Sequence, residues 1–238
     1  MPANRIKIDP ALLRRYEKQA QKRKPRQIVC KILIVCEGTK TEPNYFKAFK
    51  MFNRGTFVYE IEIEGEGKNT IQVVDRAIEL RDNAKYIGNE YDRVWTVFDR
   101  DSFPAEKFNG AIIKAKEHGI ECAWSNEAFE LWYLYHFHNR VTAMNREEYK
   151  KAISEAVNKS SKYKSKKIYK YAKNEMDNYC IMTKFGSQEK AIKWAEAKSQ
   201  EYTDQCYSEQ NPCTMVFSLV RQLIGKDDKL NEELSNKI

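Results

Sequence analysis

The chain of 238 residues carries 42 Lys and Arg against 34 Asp and Glu, with 42% apolar residues, 12% aromatic residues and nine glycines. That balance excludes disordered, collagen-like and low-complexity chains, and the length suits one large domain or two small ones. The longest run free of Asp, Glu, Lys and Arg, from Gln210 to Val220, is far shorter than the roughly 20 apolar residues of a membrane span, so no membrane partner is expected.

Residues 1–27 read as a basic, partly helical arm without the apolar core of a secretory signal, which makes the cytoplasm the expected location. Ile28 to Cys36 is an apolar, β-branched run and reads as a buried strand. Thr41-Glu42-Pro43 opens a helix bearing Tyr45, Phe46, Phe49 and Phe52. Thr56 to Glu64 alternates apolar and acidic residues as a strand with one wet face. A turn at 65–68 leads to a helix over about 70–85, followed by a strand at 93–98, a helix at 104–118 and a strand at 120–124. From Glu127 onward strand signals vanish, and helices are expected over 127–138, 146–158, about 164–179, 187–202 and 212–224.

Four strands in strict alternation with helices predict an α/β fold with a mostly parallel four-stranded sheet flanked by helices over 28–140, followed by a helical region over 141–238. Ligand chemistry in such sheets gathers beyond the carboxyl ends of the strands.

Charge is unevenly placed. Residues 1–31 carry a net +8, residues 150–173 another +8, and the remainder −8. Basic stretches of this kind suit a polyanionic partner, here DNA or RNA, while clustered acids suit a cation. The six cysteines lack C-x-x-C spacing and read as free buried thiols, and three scattered histidines make a poor zinc set.

The first strand ends in Glu37-Gly38-Thr39-Lys40-Thr41-Glu42, and the third in Asp99-Arg100-Asp101. In extended backbone, residues two apart face one side, so Asp99 and Asp101 should converge while Arg100 points away. Carboxylates from two strand ends could hold a hard cation such as magnesium, with manganese as a substitute. For Glu42 the alternative is an acidic first turn complementing its helix dipole, and for Asp101 a helix cap. Glu130 lies in the aromatic run Phe129-Glu130-Leu131-Trp132, so it either has a solvent window or faces a cation. Lys40 and Arg100 flank the acids and serve either phosphate contact or surface salt bridges. Lys68, in Gly65-Glu66-Gly67-Lys68-Asn69-Thr70, belongs to a phosphate perch or to a plain strand-to-helix turn, and the P-loop pattern is not met. In the lysine-rich stretch, Lys164, Lys166 and Lys167 interleave with Tyr163, Tyr169 and Tyr171, which fits either a nucleic-acid surface or a solvated helix with inward tyrosines.

The ordered runs Ile32 to Pro43, Val97-Phe98-Asp99-Arg100-Asp101 and Ser125-Asn126-Glu127-Ala128-Phe129-Glu130-Leu131-Trp132, with Asn211-Pro212-Cys213-Thr214 near the end, resemble the RloB family, whose domain is similar to Toprim domains. Toprim domains use a strand-end glutamate and a D-x-D pair to bind magnesium for phosphodiester chemistry. The resemblance therefore implies that Glu37, Asp99 and Asp101 are catalytic and metal-binding, with Glu37 either ligand or general acid/base, while Glu130 and Glu42 are further candidate ligands by their place at the same sheet edge rather than by the resemblance. The second glutamate of the related OLD-type pattern falls one residue closer than Glu42 does, a departure in this chain. No tyrosine stands out as a topoisomerase nucleophile among fourteen. The implied function is a magnesium-dependent nuclease of a bacterial phage-defence system. The alternative is a catalytically dormant nucleic-acid-binding or regulatory partner of a defence ATPase, an ABC-type ATPase of the same locus being implied by association.

Overall fold

In the computed structural model, residues 30–52, 59–65, 69–101, 103–139 and 142–236 are described. The basic arm, the start of the second expected strand and Lys68 lie outside them.

Strand β1 (Cys30–Cys36) is apolar on both faces, and each face is buried in a different core. Ile32, Ile34 and Cys36 pack with Tyr45 and Phe46 of α1 (Thr41–Phe52) and with the C-terminal helices. Leu33 and Val35 pack with Val73, Val74 and Ala77 of α2 (Thr70–Tyr86) and with Phe108, Ala111 and Ile112 of α3 (Ala105–Glu117). Only a sheet covered on both sides can bury such a strand, at about 1.5–3 kcal/mol for each large apolar side chain removed from water.

Four parallel strands follow the order β2 (Tyr59–Gly65), β1, β3 (Arg93–Val97), β4 (Glu121–Cys122). The chain runs from β1 to β2 on one side and then crosses to β3 on the other, so the order reverses between β1 and β3. A crevice opens at the carboxyl ends of strands on either side of such a reversal. Glu37 follows β1 there and Asp99 follows β3, two residues beyond its last residue.

The helical region comprises α4 (Glu130–Tyr135), α5 (Arg146–Lys159), α6 (Asn178–Phe185), α7 (Gln188–Ser199), α8 (Val216–Leu223) and α9 (Asp228–Ser235). Leu131, Trp132, Tyr149, Ile153, Met182, Ala191 and Leu219 share one core with the β1 face that α1 covers. The C-terminal helices thus complete the sheet's second face. No described helix is long and apolar enough to cross a membrane.

The expected helix over 164–179 is absent; α6 begins only at Asn178. Tyr169 and Tyr171 are buried while Ile168 and Lys170 are exposed, an alternation of period two. Side chains of α5 hold this extended segment. The Asn158 amide donates to the Tyr169 carbonyl at 2.9 Å and accepts from the Tyr169 N–H at 2.9 Å, and Ser154 Oγ accepts from the Tyr171 N–H at 2.9 Å. Satisfied backbone groups and two tyrosines pointing inward favour an extended chain over the expected helix.

The helix expected at 127–138 is confined to Glu130–Tyr135, and that expected at 212–224 starts at Val216. Both start late because the chain before them is held in bridges: Ser125 pairs with Asp99 on one side and Thr214 on the other, extending the sheet edge. The six cysteines are free, but Cys206 is exposed and Cys122 and Cys180 are half-buried, so only three match the expected buried thiols.

Candidate acidic site at the sheet edge

Glu37 is fixed at the crevice by backbone pairing, its N–H donating to the Val97 carbonyl at 2.8 Å. Its carboxylate accepts from the Asp99 N–H at 3.2 Å and from Thr70 Oγ1 at 3.4 Å. Burial, opposed by the Asp99 N–H bond and aided by the Glu42 charge, pushes its pKa up to about 7. A carboxyl that titrates near neutrality is suited to proton transfer.

Glu42 sits in the first turn of α1 and folds back over Gly38. A Cβ on Gly38 would clash with the Glu42 carboxylate, so a larger residue there would force that carboxylate to move. Glu42, Asp99 and Glu130 are 5%, 5% and 1% exposed. Burial raises the Glu42 pKa, with Lys173 pulling it down and Glu130 pushing it up. Burial also raises Asp99 well above the usual carboxylate range, reinforced by Glu42 and Glu130 and opposed by Arg146. Three desolvated acids thus feel one another's charge, a costly arrangement without cations.

Asp99 and Asp101 do converge, though not along extended backbone: Asp101 has φ 42°. Both meet Arg146, the first residue of α5, whose guanidinium lies 3.0 Å from Asp101 Oδ2 and 3.5 Å from Asp99 Oδ2. The same guanidinium donates to the carbonyl of Glu127 at 3.1 Å, and Glu127 also has positive φ, 66°. Left-handed backbone at non-glycine residues costs on the order of 1–3 kcal/mol and gathers at functional sites. Tyr171 Oη donates to Glu130 Oε1 at 3.1 Å. Thr41 Oγ1 donates to the Lys173 carbonyl at 3.4 Å and Asn44 to the Asn174 carbonyl at 3.2 Å, so the end of the lysine-rich loop is docked on α1 beside the acids.

Arg146, Tyr171 and Lys173 were not singled out as partners of the acids by sequence reasoning. For Arg146 a signal existed, since a basic residue follows the helix cap Asn145, where the dipole disfavours it. Lys40 and Arg100 lie beside the acids. Lys40 is exposed, whereas Arg100 is half-buried with its N–H bonded to the Ser125 carbonyl at 2.9 Å. Lys164, Lys166 and Lys167 are exposed on the loop. Pro104, rather than Asp101, stands at the cap of α3, and Asn69 caps α2 through a reciprocal pair with Gln72.

Behind the acids, Asn126 ties the chain down. Its amide donates to the carbonyls of Tyr207 at 2.8 Å and Gln210 at 2.7 Å, and its N–H to the Cys213 carbonyl at 2.9 Å. The two sequence runs around Ser125 and Thr214, far apart in the chain, are therefore one structural unit. His136 is buried and its pKa is lowered to about 4 by burial, with Nδ1 against the Trp132 carbonyl at 3.0 Å. Two cavities lined by described residues lie away from the acids. One of about 620 Å³ is lined in part by Lys159, Lys162 and Lys190. Another of about 700 Å³ is lined by Trp124, Tyr202 and Tyr207.

The carboxylates fit a hard divalent cation in two respects: the donors are all oxygen, and Asp99 Oδ1 and Glu130 Oε2 are buried without a hydrogen-bond partner. Among the described residues, no three carboxylate, thiol or imidazole groups gather at one coordination point in this conformation. The Asp99–Asp101 pair is instead bridged by Arg146.

The family model described as RloB-like protein matches residues 32–223, most of the chain. No curated protein and no solved structure matches it.

Proposed function

The chain belongs to the RloB-like family, and we propose that it is a magnesium-dependent nuclease acting on DNA or RNA in bacterial phage defence. The observation that carries this reading is the set of three buried carboxylates, Glu42, Asp99 and Glu130, at the order reversal of a parallel sheet. Two of their oxygens lack a partner, beside a fourth carboxyl, Glu37, that titrates near 7. Such a cluster is stable when a cation compensates it and is hard to account for as scaffolding.

Asp99, Glu130 and Glu42, with Asp101 at the rim, would hold the ion. Magnesium bound there supplies Lewis-acid polarisation of a phosphate and lowers the pKa of a bound water. Glu37, oriented by the Asp99 N–H and Thr70, would take a proton from attacking water or return one to the leaving oxygen. Lys173, close to Glu42, and the exposed Lys164, Lys166 and Lys167 supply positive charge along one loop for the substrate backbone.

Cleavage of labelled DNA and RNA with magnesium or manganese tests the reading. Asp99→Asn is expected to lower activity at least 100-fold, and Glu37→Gln by a similar factor. Equal cleavage by wild type and both variants would refute it.

One observation favours a second reading. Arg146 neutralises Asp99 and Asp101 internally, as suits a dormant site in a nucleic-acid-binding or regulatory partner of an ABC-type ATPase from the same locus. That reading predicts metal-independent nucleic-acid binding, no cleavage, and co-purification of the ATPase.

A further inference from the structure

Arg146 occupies a position its own helix disfavours. It is the first residue of α5, where the dipole favours anions, as the neighbouring Glu147 and Glu148 illustrate. Asn145 fixes that start: its side chain accepts from the N–H of Glu147 and of Glu148, both at 3.1 Å, while Glu148 accepts from the Asn145 N–H at 2.9 Å. The guanidinium's hydrogen-bonding capacity is not filled, because Nε is buried with no partner. Two of its acceptors, Asp101 and the Glu127 carbonyl, come from residues in left-handed backbone. What holds Arg146 is therefore the acids rather than its helix, and one guanidinium leaves buried oxygens of Asp99 and Glu130 without a partner.

We infer that Arg146 is a stand-in cation: it compensates Asp99 and Asp101 in the metal-free chain and gives both up when a divalent cation binds. The inference rests on the reading of the acids as a metal site. It explains why the carboxylates surround a positive group yet do not gather at one coordination point. Entry of a divalent ion then exchanges a single charge, bonded through two nitrogens, for a double charge that can also engage the oxygens left bare. The released guanidinium is left beside the site, where a phosphate oxygen can replace the carboxylates as its partner.

Calorimetric titration of the full chain with manganese, free of nucleic acid, tests the exchange in wild type, Arg146→Gln, Arg146→Lys and Lys173→Gln. Arg146→Gln should bind manganese about tenfold more tightly, the scale on which groups bonded to a ligand set alter metal affinity. It should also melt lower than wild type without metal and gain more on saturation. Arg146→Lys, a point charge that cannot bridge two carboxylates, should fall between, and it keeps the test open if the glutamine variant does not fold. Lys173→Gln removes the same charge from beside Glu42 and should change affinity less. The Nε–H resonance of Arg146 should shift as manganese's diamagnetic counterpart, magnesium, is added. Wild type that binds manganese no more weakly than the Arg146 variants, or equal gains in Arg146→Gln and Lys173→Gln, would overturn the inference and leave the metal site standing. Absence of binding in wild type and variants alike would remove the metal site and the inference with it.

Discussion

The acidic sheet edge and the lysine-rich loop carry opposite charge in opposite surroundings. Glu42, Asp99 and Glu130 are buried within a tight framework, whereas Lys164, Lys166 and Lys167 stand in water. Charge removed from water is expensive, shifts its pKa and depends on the structure that encloses it. Exposed charge is cheap, screened by salt and nearly independent of the fold. The first arrangement suits a reaction and the second suits holding a polyanion.

That contrast breaks most visibly if the framework behind the acids is loosened. Asn126→Ala takes its donor from the Gln210 carbonyl and leaves the Tyr207 carbonyl with the Gln210 N–H alone. It should destabilise the chain by about 2–4 kcal/mol, lowering the melting temperature by roughly 4–16 °C. A melting curve unchanged from wild type would mean that the Ser125–Thr214 closure does not support the edge.

The response to pH sharpens the contrast. Glu37 ionises near 4.5 in an ordinary environment and near 7 when folded. Between these values the folded chain binds more protons than the unfolded one, so stability is present at low pH and falls as pH rises through the window. Asp99, also raised by burial, adds in the same direction, and together they outweigh buried His136, which is lowered to about 4 and contributes the opposite sign between about pH 4 and 6.5. Without metal, the melting temperature should be higher at about pH 5.5 than at about pH 7.5, and saturating magnesium should flatten that slope. A slope of the opposite sign would show that other groups dominate the titration.

The smallest effect on the fold belongs to the loop. Replacing Lys164, Lys166 and Lys167 together by Gln should change stability by no more than about 0.5 kcal/mol per site. If each contacts a phosphate, the salt dependence of nucleic-acid binding should weaken by roughly 0.7–0.9 in slope per lysine. An unaltered slope in fluorescence anisotropy titrations would place the backbone contacts elsewhere.

Much of the fold is legible in local pattern. The apolar run at 32–36, the alternation at 59–64 and the helical periods between strands specify a parallel sheet, and with it the edge where Glu37 and Asp99 emerge. The pattern fails at 164–179 because two tyrosines spaced two apart are too short an alternation to exclude a helix, and because the partners Ser154 and Asn158 lie on another element. It also could not reveal that Asn126 binds residues more than 80 positions later.

What the chain's sequence determines by itself is which acids stand at the strand ends, since strand and helix periods depend on neighbours two to four residues apart. Tertiary structure alone decides how those acids are compensated. Arg146 reaches Asp99 across 47 residues, Tyr171 reaches Glu130 across 41, and the buried Glu42 carboxylate lies against Gly38. Burial and charge pairing are sums over contacts distant in the chain, so the same Glu or Arg reads alike in the sequence whether it meets water or a buried ion pair.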